Sequence, residues 1–86
     1  MIRGQTKSGF EFEIDEEVLD NWEILEVIDE LEEKPNLIVR LSKMLLEDEQ
    51  YKTLKKHCTV NGKVVMTAMV NEVTEILNNN QETKNL

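Results

Sequence analysis

The chain has 86 residues, a formal net charge of −8 and a single cysteine, Cys58. That length makes one small domain with a thin, mostly aliphatic core, and one cysteine leaves no internal disulfide to reinforce it. Apolar runs as short as Leu37-Ile38-Val39 exclude a membrane span, and the acidic balance disfavours direct contact with nucleic-acid phosphates, which needs a basic field.

In chain order, Ile2 to Gln5 and Phe10 to Ile14 have the pattern of a β-hairpin, with Thr6 to Gly9 as its polar turn. Phe10, Phe12 and Ile14 alternate with Glu11 and Glu13, so one side of the second strand is apolar and the other charged. At Asp15 the period changes from two to about 3.6. The Asp15 carboxylate is placed to accept from the free amides of a helix starting there, and Glu16 and Glu17 put negative charge at the positive end of its dipole.

The spacing predicts a first helix from about Glu16 to Glu33. Val18, Trp22, Ile24, Leu25, Ile28 and Leu31 would fill nearly half its circumference, with Leu19 and Val27 at or beyond the edge of the acidic half. From Asp15 to Glu33 there are ten acidic residues and no basic ones, whereas Lys34 to Cys58 carries a net +3. The two segments are expected to pack near one another and relieve the repulsion. Lys34-Pro35-Asn36 is a break, because proline disfavours helix in the residue before it.

A second helix is expected from about Leu37 to Leu46, and a third opens at Asp48 and presents Tyr51, Leu54 and Cys58 on one face. Asn61-Gly62 is a turn signal whose flanks are too short for a hairpin, so Thr59 to Val64 is taken as a loop. A last helix is predicted from Val65 to Leu77, with Met66, Met69, Val70, Val73 and Ile76 facing the core and Asn71, Glu72 and Glu75 opposite. The expected organisation is therefore an α+β, mainly α domain over residues 1–77, a hairpin and about four short helices, followed by a polar, disordered tail over 78–86.

Chemistry is sparse. His57 and Cys58 are sequence neighbours, and neighbours on a helix point about 100° apart, so one does not readily activate the other. Cys58 fits a small buried hydrophobe, and His57 fits an exposed residue near a helix C-terminus. One histidine and one cysteine do not complete a zinc site, and the isolated Gly4, Gly9 and Gly62 make no phosphate loop. The reading is of a protein that is not an enzyme and has no catalytic residues, metal or cofactor. Trp22 stands out for recognition. It fits either the main core aromatic beneath the hairpin or an interface anchor bordered by carboxylates.

The stretches SGFEFEIDEEVLDNWEILEVIDELEE and LLEDEQYKTLKKHC, followed by a turn and a short final helix, resemble the small tail assembly chaperones of siphophages and related prophages. The resemblance spans roughly Gly4 to Leu77; a leucine-like residue at Cys58 and a proline near Val64 or Val65 would fit it more closely. It implies a protein of the bacterial host cytoplasm that coats the long tape measure protein during tail assembly and is absent from the finished tail. With Leu19, Trp22, Glu23, Glu26 and Glu30 as partner-binding residues, the first helix would offer apolar contact beside strong negative charge. Two further readings fit the same composition: an acidic DNA mimic or inhibitor that binds a basic partner, and a homo-oligomeric structural module.

Overall fold

The computed structural model describes the backbone of residues 1–84 and the side chains of residues 1–78. The fold is α+β and mainly α, an N-terminal hairpin followed by four helices. Strands β1 (Ile2–Gln5) and β2 (Glu11–Ile14) pair antiparallel, with Ile2 opposite Ile14 and Gly4 opposite Phe12. The alternation works as the pattern requires: Phe10, Phe12 and Ile14 are buried, and Glu11 and Glu13 face solvent. Gly4 is needed because the Phe12 ring lies across it, and a Cβ there would come within 2.5 Å of Phe12 Cζ.

A two-stranded sheet is marginal alone and is held here by the helices. The Gln50 side-chain amide pairs with the backbone of Glu13, its Oε1 accepting from Glu13 N at 2.7 Å and its Nε2 donating to Glu13 O at 2.6 Å. Those two bonds occupy backbone groups that a free strand edge would offer to another chain.

The acidic stretch is two helices, not one. Asp15 caps α1 (Glu16–Leu19) as expected, accepting from Glu17 N at 3.0 Å. The chain then leaves helical geometry at Asp20 and Asn21, and Asn21 caps α2 (Trp22–Glu30), accepting from Glu23 N at 2.9 Å. Short Asp and Asn side chains compete for backbone amides, so the pair favours a fresh start over continuation. The interruption lets α2 turn toward the core a different side from the one a single continuous helix would present. Ile24 and Val27 are buried, with Ile28 and Leu31 packed beside them, while Trp22 and Leu25 fall outside.

α3 (Leu37–His57) contains the expected division near residue 47. Glu47 has φ 59° and ψ 178°, a kink between two helical stretches. Gln50 Nε2 also donates to the Leu46 carbonyl at 3.1 Å, next to the break. Leu41, Leu45, Leu46 and Leu54 of α3 form the centre of the core with Ile14, Val73 and Ile76. The segment expected as a loop is a miniature hairpin: β3 (Thr59–Val60) pairs with β4 (Lys63–Val64) around Asn61 and Gly62, both at positive φ. Asn-Gly sustains that conformation cheaply, and so a pair of two-residue strands suffices.

α4 (Met66–Lys84) runs seven residues past the expected end at Leu77. No glycine or proline occurs between Met66 and Lys84, so nothing in the backbone forces a stop. Residues 85–86, the end of the expected tail, lie outside the described residues, as do the side chains from 79 onward. Among the described residues, no helix is long and apolar enough to cross a membrane.

Candidate partner-binding face

The rotation of α2 produces an unusual surface. Trp22 is 72 % exposed and Leu25 54 %, so the reading of Trp22 as the core aromatic is not how the chain uses it. Hydrophobic burial of a tryptophan is worth several kilocalories in principle, yet here the ring stands in solvent. All ten carboxylates from Asp15 to Glu33 are exposed as well, so the indole sits in a strongly negative field.

The residues expected to bind a partner divide into three groups. Leu19 is half-buried and packs against the core. Glu23 and Glu30 are exposed but paired within the chain, Glu23 Oε2 at 3.7 Å from Arg40 Nη2 and Glu30 Oε1 at 4.0 Å from Lys34 Nζ. Trp22 and Glu26 both face solvent on the outward side of α2. Leu25 and Asp29 belong to that side too, although the spacing of one continuous helix puts Leu25 in the apolar arc. The Asp20-Asn21 pair, two poor helix-interior residues ahead of Trp22-Glu23, was the signal for the change of phase.

A second acidic site has the opposite character. Glu72 was expected on the solvent side of the last helix but is 7 % exposed. Its Oε1 accepts from Thr6 Oγ1 at 2.7 Å and from Ser8 Oγ at 2.9 Å, both in the hairpin turn. One helical turn on, Glu75 Oε2 accepts from Lys7 N at 2.7 Å. His57 Nε2 lies 2.8 Å from Ser8 Oγ and 3.8 Å from Glu72 Oε1, with its ring 5.7 Å from that of Phe10. Since Ser8 gives its one proton to Glu72, the consistent pattern has Nε2–H donating to Ser8 Oγ.

Ser8, His57 and Glu72 thus combine the residue types of a nucleophilic relay without its geometry. A relay places serine and carboxylate on opposite ring nitrogens; here both lie on Nε2, and the serine proton is already held by the carboxylate. The arrangement fastens α4 and the end of α3 to the hairpin turn. Cys58 is buried beside it, and burial together with the Glu72 charge pushes its thiol above the ordinary 9.0, which keeps it protonated and poorly nucleophilic. Among the described residues, no three His, Cys, Asp or Glu side chains converge in a way that could hold a metal ion.

An apolar groove between α3 and α4 is lined by Val39, Tyr51, Val64, Met66, Met69 and Val70. Met69 is partly buried as expected, but Met66 is 74 % exposed at the groove mouth, because it is the first residue of α4 and precedes the stretch that meets the core. The ammonium groups of Lys43 and Lys55 lie 5.7 and 5.3 Å from the Tyr51 ring centre, within cation–π range. No family model, curated protein or solved structure matches the chain.

Proposed function

We propose that this protein is a non-enzymatic chaperone of phage tail assembly, acting in the cytoplasm of the bacterial host by binding and solubilising the tape measure protein. The observation that carries the reading is the outward face of α2, where Trp22 and Leu25 stand exposed among carboxylates. An exposed tryptophan supplies a large, rigid contact surface, and clustered negative charge keeps coated complexes apart and soluble. The resemblance over Gly4 to Leu77 supplies the identity of the partner.

The face favours this reading over mimicry of DNA. A phosphate mimic needs an uninterrupted carboxylate array, whereas an indole and a leucine occupy the middle of this one. A coat that must later be shed works through many weak contacts, and one aromatic anchor per copy suits that demand. Co-expression with the tape measure protein tests the proposal. The expected result is a soluble complex containing both chains; a tape measure protein that is equally soluble and uncomplexed without this chain would overturn it.

A further inference from the structure

We propose that the outward face of α2 selects cationic amphipathic helices, and that Glu26 and Asp29, rather than Glu23 and Glu30, receive the partner's Lys or Arg side chains. This inference rests on the reading of the protein as a chaperone of the tape measure protein, which the resemblance implies to be a long helical chain, and states which chemistry that partner must present.

At about 100° per residue, Glu26 and Asp29 lie roughly 40° and 20° to either side of Trp22, and Leu25 lies roughly 60° away. These four residues therefore form one stripe along the outside of α2, with the carboxylates alongside the two apolar side chains. Glu23 and Glu30 sit roughly 80–100° from Trp22, on the flank toward which Arg40 and Lys34 reach. They already have cations of their own. Glu26 and Asp29 have no basic partner among the described residues.

The charge complementarity follows from that difference. An incoming ammonium or guanidinium meets Glu26 and Asp29 without first breaking an intramolecular pair, while its apolar ridge covers Trp22 and Leu25. A helix with the same ridge and acidic flanks would bring like charges together as the site dries, and closely opposed like charges reject a partner. A purely apolar helix would leave two carboxylates beside the contact without the cations that compensate their lost water.

The chain's sole tryptophan reports on the site directly. Two synthetic helical peptides with the same leucine ridge, one flanked by lysines and one by glutamates, are titrated into the full chain while Trp22 emission is followed. The lysine peptide is expected to shift the emission to the blue saturably, with binding that weakens as salt rises; the glutamate peptide is expected to leave it unchanged. The Glu26→Gln/Asp29→Asn variant should bind the lysine peptide about tenfold more weakly, and the Glu23→Gln/Glu30→Gln variant, equal in net charge, should stay within about twofold of the parent.

Equal binding of both peptides, binding of neither, or the same loss in both double variants would overturn the selection; the last result would assign binding to net charge alone. Co-expression separates the two proposals. If the parent chain and the Glu26→Gln/Asp29→Asn variant hold the tape measure protein equally, the selection fails and the chaperone reading stands. If the parent chain does not hold it, the chaperone reading fails, and the peptide titration decides the selection by itself.

Discussion

α2 and α4 both carry glutamates and put them to opposite uses. On α4, Glu72 and Glu75 turn inward and accept hydrogen bonds from Thr6, Lys7 and Ser8. On α2, Glu26 and Asp29 turn outward and hold nothing within the described fold. What separates them is the surface each helix meets. Two hydroxyls and a backbone amide of the hairpin turn await α4, whereas solvent lies beyond α2. A carboxylate already holding protein donors serves the fold, and one without them is available to a partner. Residue type alone does not distinguish the two cases.

Substitution should expose the contrast. Glu72→Ala removes the charged acceptor shared by Thr6 and Ser8, and the buried Thr6 hydroxyl keeps only its bonds to Phe10 N and Ser8 Oγ, a loss of about 2–3 kcal/mol. In a domain of this size that lowers the melting temperature by about 10 °C or more. Glu26→Ala should leave it unchanged. Similar melting curves for the two variants would break the comparison.

A smaller effect lies at Glu47, whose φ of 59° with ψ near 178° belongs to a region that glycine alone adopts freely. Glu47→Gly is expected to stabilise the fold by about 0.5–1 kcal/mol, after the extra freedom glycine adds to the unfolded chain. Denaturant unfolding measures it, and a destabilised variant would show that the kink carries no strain.

The smallest effect concerns Cys58. Burial first, and the Glu72 charge second, raise its thiol above 9.0 in the folded chain. An acid whose folded value is raised contributes stability that is complete below the unfolded value and is lost as pH rises through the folded one. The melting temperature should therefore fall more steeply above pH 9 for the parent chain than for Cys58→Ala. Identical pH profiles would contradict the assignment.

How far the sequence predicted these features depends on whether the governing contacts are local. The hairpin, its register face and the Asp15 cap were readable because alternation and capping act over a few residues. The break near Glu47 was readable for the same reason, through Asp48 and the end of the apolar run at Leu46. The phase of α2 was missed, although its cause is equally local: Asp20 and Asn21 interrupt a pattern that otherwise suits one long helix. On one uninterrupted helix Trp22 and Leu25 fall on the buried side and Val27 near the outside. Burial of Glu72 depends on Thr6 and Ser8, which lie 66 and 64 residues away. Its place between Met69 and Ile76, at the border of the apolar face, was the only hint within α4.

The central claim is that α2 presents Trp22 for contact with another protein and not for the stability of its own fold. The most direct test is Trp22→Ala, measured for melting temperature and for retention of co-expressed tape measure protein. A surface substitution changes stability by no more than about 0.5 kcal/mol, so the account predicts melting within about 4 °C of the parent together with loss of the soluble complex. Undiminished retention of the tape measure protein by the variant would contradict it.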